Sequence, residues 1–215
     1  MDKQLYDHFI DLLEIEDKDG ALNYVLTLLE TEKISIEVLY EELLAPSLLQ
    51  FSCKLEDQEI CIWREHTRTS IIRTILEATY PFIVKRKKTV PVLRKKVIVV
   101  CPQEEYHEIG AIMATNYFSL AGFEAQYIGA NTPKEQIISA VKALKPDYLA
   151  LSVTNYYNLF TTKKTIDEIR EQYPHVMIIV GGQAFMYHNA LDQLTYDHHI
   201  IKVQDIFLLA EEAQK

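Results

Sequence analysis

From residue 96 onward, short apolar segments alternate with helical patterns, and this alternation constrains the fold more than any other feature. Near-continuous apolar strands separated by helices are typical of a parallel sheet that is covered on both faces. The sequence therefore predicts an α/β flavodoxin-like (Rossmann-like) domain with a five-stranded parallel sheet over residues 89–215. The strands are predicted at 96–101, 124–128, 147–153, 176–180 and 199–203, and the helices at about 110–121, 133–144, 157–172, 183–194 and 204–214.

The first 88 residues have little strand pattern and much helical spacing of apolar residues. Four helical segments with short connections predict an all-α four-helix bundle over 1–88. The third segment starts near Ser35, and Pro46 should kink it or mark a local break. The fourth is predicted as one long helix from about Asp57 to Lys85.

The composition excludes several classes of protein. A chain of 215 residues with 48% hydrophobic residues can bury a sizeable core, and no apolar run is long enough to span a bilayer. The net charge of -9 argues against direct nucleic-acid binding. Without a signal-peptide pattern at its start, the chain is expected to be soluble and cytoplasmic, and Cys53, Cys61 and Cys101 are expected to be reduced thiols.

Ligands of such sheets bind beyond the carboxyl ends of the strands, so the turns after strands one, three and four are the candidate site. The first turn, "EEYHEIG", has no phosphate-cradling glycine pattern, which makes a simple dinucleotide or nucleoside triphosphate site improbable. It carries a histidine two residues after a glutamate. A lone Glu-x-His pair is weak evidence for a metal site, because most such histidines are ordinary surface residues. The candidate positions across the three turns are Glu105, His107, Gly110, Ser152, Thr154, Gly181 and Gly182.

Together these positions resemble the motif of cobalamin-binding domains, Asp-x-His-x-x-Gly, then Ser-x-Leu or Ser-x-Thr about forty residues later, then Gly-Gly. The resemblance covers about residues 90–215 and implies a corrinoid bound base-off, with His107 as the cobalt ligand. It implies adenosylcobalamin or methylcobalamin as the cofactor, with its nucleotide tail in a groove that the later motifs line. Glu105 departs from the usual Asp. Tyr156, Tyr157, Asn131 and Thr132 are further candidates for the groove.

The stretch from Glu104 to Pro133 is similar to the cobalamin domains of CarH/LitR-type light-responsive regulators. In that group a four-helix bundle covers the upper face of the cofactor. Here Glu65–His66 resembles the end of its Trp-x(9)-Glu-His motif. Trp63 is either helix core or a residue over the corrin. Two departures weaken the photoreceptor-like expectation: Leu55 stands in place of the motif's tryptophan, and Glu56 in place of a histidine that can bind cobalt.

These resemblances imply two functions. The first is a cobalamin-binding sensory or regulatory protein that signals through a protein partner or homo-oligomer, and that lacks the regulators' DNA-binding domain. The alternative is a corrinoid shuttle protein of a methyltransferase system, for which Glu105 is less typical. The first function is not enzymatic, whereas the second serves an enzyme. A domain that no longer binds cobalamin is the third possibility.

Overall fold

The computed structural model describes residues 2–49, 58–187 and 189–214. It divides into two compact units, Met1–Lys85 and Arg86–Lys215, the first helical and the second built around a sheet. None of the helices in the described part of the chain is long and apolar enough to cross a membrane.

The helical unit begins with two capped helices, α1 (Lys3–Glu14) and α2 (Lys18–Glu30). The side chain of Asp2 accepts a hydrogen bond from the backbone of Gln4, and that of Asp17 accepts one from Gly20. Each satisfies a backbone donor that a helix start leaves without an intrahelical partner. The two helices bury one apolar face each, which includes Phe9, Leu13, Ala21, Val25, Leu28 and Leu29.

The third helical segment is irregular ahead of Pro46. It runs through α3 (Ile36–Val38), a π-helical stretch (Leu39–Leu44) and α4 (Ala45–Leu49). Pro46 has no backbone N–H to donate to the carbonyl of Glu42, four residues earlier. The wider π-helical turn accommodates this missing hydrogen bond. The fourth segment is two helices rather than the predicted one, α5 (Gln58–Ala78) and α6 (Tyr80–Lys87). Pro81 explains the break, since it fits the first turn of a helix but not the interior.

The second unit confirms the predicted fold class. Its strands are β1 (Lys96–Pro102), β2 (Glu124–Thr132), β3 (Tyr148–Ser152), β4 (Met177–Gly181) and β5 (His198–Ile200). They form one parallel sheet in the order β2-β1-β3-β4-β5. The chain therefore reverses its direction of winding between β1 and β3, and this switch point is where open α/β sheets bind ligands.

In the described part of this unit, four α-helices accompany the sheet: α7 (Ile109–Leu120), α8 (Lys134–Leu144), α9 (Leu159–Gln172) and α10 (Val203–Glu212). The helix predicted at 183–194 is wrong. Among the described residues of that range, the structure has a 3-10 turn, Gln183–Met186, in place of the helix. The backbone N–H of Ala184 bonds to the carbonyl of Val153, and Phe185 is buried in the core. One core cluster lies on a single face of the sheet; it includes Ile98, Val100, Leu149, Leu151, Ile178, Val180, Ile137, Val141, Ile166 and Ile169.

The described cysteines differ in state. Cys101 is free and buried, as expected, whereas the expectation of a reduced thiol is wrong for Cys61, which is disulfide-bonded. Leu55 and Glu56, which the sequence analysis singled out, lie outside the described residues, as does Cys53.

Candidate functional site

The turn between β1 and α7 lies at the switch point and carries Glu105 and His107 in opposite environments. The side chain of Glu105 is fully buried, and that of His107 is 59% exposed. Glu104, which directly precedes the pair, takes a left-handed conformation with φ of 68°. The turn therefore directs a carboxylate inward and an imidazole outward.

The buried carboxylate of Glu105 accepts hydrogen bonds from five donors. Its Oε1 accepts from the backbone N–H of His107 at 3.0 Å and lies 2.5 Å from the Nδ1 atom of the His107 ring. Its Oε2 accepts from the backbone N–H groups of Thr154 and Asn155, both at 2.9 Å, and from the side-chain amide of Asn158 at 3.2 Å. The loop after β3 therefore holds one oxygen, and the other is left for the histidine.

These donors keep Glu105 ionised. Burial alone would raise the pKa of the carboxyl, but the bonds from the His107 ring and from the backbones of Asn155, His107 and Thr154 outweigh it and lower the pKa to about 2. A charged acceptor strengthens each of these hydrogen bonds. Glu105 is consequently a fixed anion at neutral pH.

The arrangement determines which nitrogen of His107 can bind a metal. With Nδ1 turned to the carboxylate, Nε2 is the ring atom on the other side. A carboxylate on the second nitrogen fixes the tautomer of a metal-binding histidine and makes it a better donor. Neutral imidazole suits late transition metals such as cobalt.

Asn158 is a site residue that the sequence analysis missed. It is buried, and its amide donates both to Glu105 Oε2 and to the backbone carbonyl of Glu104 at 3.1 Å. Only its position in the loop after β3 marks it in the sequence, and an asparagine there is equally typical of an ordinary helix start. The structure shows instead that it joins two loops.

A second set of contacts joins the backbone carbonyl of His107 to side chains of β1 and β2. The thiol of Cys101 donates to the carbonyl of His107 at 3.8 Å and lies 3.9 Å from the hydroxyl of Tyr127. That hydroxyl donates to the carboxylate of Glu108 at 2.9 Å. Burial raises the pKa of Cys101 to about 12, so this thiol is a neutral donor and not a nucleophile.

The predicted glycines have different structural reasons. At Gly182 the φ is 111°, and an added Cβ would overlap the carbonyl oxygen of Val153. This contact within the protein requires the glycine without any ligand. An added Cβ at Gly181 would lie 3.2 Å from the carbonyl oxygen of Ile200, whereas one at Gly110 would meet nothing within 4 Å. Only Gly110, at the start of α7, therefore adjoins open space that a ligand could fill.

Ser152 and Thr154 contribute differently from each other. Ser152 is half-buried at the end of β3, where it pairs with Gly181 of β4. Thr154 is brought to the Glu105–His107 pair through its backbone N–H.

In the helical unit, Trp63, Glu65 and His66 lie on an exposed part of α5. Trp63 is 47% exposed, with the guanidinium of Arg64 lying 5.8 Å from its ring centre, so the interpretation of Trp63 as helix core is wrong. Ile62 is also exposed. The side chains of Glu65 and His66 are exposed and lie 3.7 Å apart. This part of α5 thus presents apolar and titratable groups together at the surface.

The residues of the turn fit a corrinoid. His107 would hold the cobalt of such a group, because its exposed imidazole has a carboxylate on the other ring nitrogen and would supply a nitrogen donor. The open space beside Gly110 leaves room at the same edge of the sheet.

Comparison with known proteins points to the same cofactor. Residues 95–206, more than half of the chain, match the model of the B12 binding domain. The chain is 27% identical over 154 residues to the HTH-type transcriptional repressor CarH of Myxococcus xanthus, a match covering 71% of this chain and 49% of the repressor. It is 24% identical to the repressor CarA of the same organism over 119 residues, covering 55% of this chain and 38% of that one. The chain thus spans half or less of these relatives' length.

Among solved structures, the monomethylamine corrinoid protein of Methanosarcina barkeri superposes with a TM-score of 0.81 at 16% identity, covering 99% of each chain. At this identity the likeness concerns the fold, and it extends over the helical unit as well as the sheet. Since the family model matches more than half of the sequence and spans all five strands, the chain belongs to the B12-binding domain family and is a cobalamin-binding protein.

Proposed function

We propose that the chain binds cobalamin in the base-off form, with Nε2 of His107 as the lower ligand of cobalt, and that it serves as a sensory or regulatory module. The observation that carries the proposal is the Glu105–His107 pair at the switch point of the sheet. Five donors hold the carboxylate in place, and it orients an exposed imidazole. An exposed surface histidine without a ligand to bind needs no such support.

The ultraviolet–visible spectrum of bound cobalamin tests the ligand. Wild type should bind cobalamin with displacement of its benzimidazole, and His107→Ala should lose both the affinity and that spectrum. His175→Ala is the matched control, because His175 is an exposed histidine that precedes β4 at the opposite end of the sheet. If His107→Ala leaves the spectrum unaltered, His107 is not the ligand.

The regulatory part of the proposal is supported by the similarity to transcriptional repressors and by Glu105, which departs from the usual Asp of the family motif. Within the helical unit, the exposed side chains of Trp63, Glu65 and His66 on α5 are the groups proposed to take part in the response. A change of the upper ligand would then alter either self-association or the binding of a protein partner.

Sizing the protein with and without adenosylcobalamin, in darkness and after illumination, tests this response. We expect the oligomeric state to depend on the upper ligand in wild type, and the dependence to weaken in Trp63→Ala. Arg73→Ala, a substitution in a later turn of the same helix α5, provides the control. An identical size in every condition would leave only a partner-mediated signal.

A corrinoid shuttle is the second candidate, because the likeness to the Methanosarcina barkeri corrinoid protein covers both chains almost completely. Under this alternative the cobalt would carry a methyl group for a partner methyltransferase. Loading the protein with methylcobalamin and measuring methyl transfer to a thiol or amine acceptor, with a corrinoid methyltransferase added, separates the two functions. Turnover would favour the shuttle over the sensor.

A further inference from the structure

The left-handed residue Glu104 is held by asparagine side chains on both sides of its backbone. Its N–H donates to Oδ1 of Asn131 at 2.8 Å, and its carbonyl accepts from the amide of Asn158 at 3.1 Å. Asn131 belongs to the end of β2 and Asn158 to the loop after β3. Hydrogen bonds therefore join the turn after β1 to the end of β2 on one side and to the loop after β3 on the other.

Asn131 has a conformation suited to this contact. It is itself left-handed, with φ of 47°, at the point where the pairing of β2 with β1 becomes irregular. Asparagine adopts this conformation more readily than most residues. Its backbone N–H donates to the carbonyl of Glu105 at 2.8 Å. Its backbone and side chain thus contact two successive residues of the turn.

The conformation of Glu104 is unfavourable for a residue with a side chain, and such conformations persist where surrounding contacts determine them. A relaxed Glu104 would rotate the next peptide and carry Glu105 and His107 with it. We infer that Asn131 is a positioning residue for the Glu105–His107 pair, acting through the backbone of Glu104. For its consequence in cobalamin binding, this inference rests on the proposed function.

Two substitutions isolate the side chain of Asn131. Asn131→Gly keeps the left-handed backbone and its N–H but removes the acceptor, whereas Asn131→Asp keeps an acceptor oxygen in the same place. Amide hydrogen exchange in the cobalamin-free protein is measured at His107, Thr154 and Asn155, which donate to Glu105 and lie outside the substituted loop. The bound fraction and spectrum of added hydroxocobalamin form the second readout.

In Asn131→Gly we expect exchange at the three amides to become about fivefold faster, the factor that loss of one hydrogen bond implies. We also expect weaker cobalamin binding and a smaller fraction of bound cobalamin with the spectrum of the histidine-ligated form. Asn131→Asp should resemble wild type in both. Exchange within twofold of wild type at all three amides in the glycine variant would overturn the inference.

Where wild type binds cobalamin through His107, faster exchange with unchanged cobalamin affinity and spectrum in Asn131→Gly would overturn the inference as well, since the contact would then be structural only. If wild type itself binds no cobalamin, or binds it independently of His107, the proposed function fails. The exchange arm still decides in that case whether Asn131 positions the pair, so the two failures are distinguishable.

Discussion

Replacing Glu105 with glutamine should destabilise the sheet unit strongly at neutral pH and less in acid. The substitution keeps the size of the side chain but removes its charge, and it places an NH2 group where only donors approach. The pKa of Glu105 is about 2 in the folded protein against its usual 4.5. That difference corresponds to about 3 kcal/mol of stability at pH 7.

The sign of the pH effect follows from the lowered pKa. The stabilisation is fully present above pH 4.5 and is lost as the pH falls from about 4.5 to about 2, because the unfolded chain takes up the proton first. At pH 3 about 1 kcal/mol of it should remain. The glutamine variant has no such proton uptake, so its deficit relative to wild type should be about 2 kcal/mol smaller at pH 3 than at pH 7.

Urea unfolding followed by the NMR methyl signals of Val100 and Leu151 measures this quantity for the sheet unit alone, since both residues belong to its core. Glu104→Gln is the matched control, because Glu104 is the exposed acid next in sequence and should change stability by less than about 0.5 kcal/mol. A deficit of Glu105→Gln that is equal at pH 7 and pH 3 would refute the assignment of Glu105 as a buried anion.

Other substitutions test the neighbouring contacts. Asn158→Ala removes a buried donor to Glu104 and Glu105 and should lower the unfolding free energy by about 1–3 kcal/mol in the same urea titration; a loss below about 0.5 kcal/mol would contradict the bridge between the loops. Gly182→Ala should cost more than about 2 kcal/mol, because its Cβ would overlap the Val153 carbonyl at a positive φ. Gly110→Ala should instead stabilise the cobalamin-free protein by about 0.5–1 kcal/mol through helix propensity and should weaken cobalamin binding in a spectral titration. Equal changes in the unfolding free energy for Gly182→Ala and Gly110→Ala would contradict the distinction between the two glycines.

The fold class could be predicted from the sequence because it follows from the spacing of the apolar residues. The apolar residues of β1, β3 and β4 leave few alternatives to buried parallel strands. The helix predicted after β4 failed because tertiary packing of Ala184 and Phe185 against the core overrides local propensity. The break before Pro81 was missed although the proline itself marks it.

The site was predicted only in part, and the reason is geometric. Spacing identified Glu105 and His107, but the donors to the carboxylate are mostly backbone N–H groups, which every residue type supplies. Thr154 was a candidate through its place in the motif, and its contact with Glu105 is made by its backbone N–H. Gly182 was a candidate as part of the later motifs, and the structure adds that the protein's own backbone requires a glycine there.

The most direct test of the account is the electron paramagnetic resonance spectrum of the bound Co(II) corrinoid in protein labelled with 15N only at histidine. A single axial nitrogen splits the cobalt lines into three when it is 14N and into two when it is 15N. The account predicts that labelling converts triplets into doublets, because the axial nitrogen belongs to His107, and that His107→Ala abolishes the doublets. Triplets that persist in the labelled protein would show that the cofactor's own base remains on cobalt and would contradict the central claim.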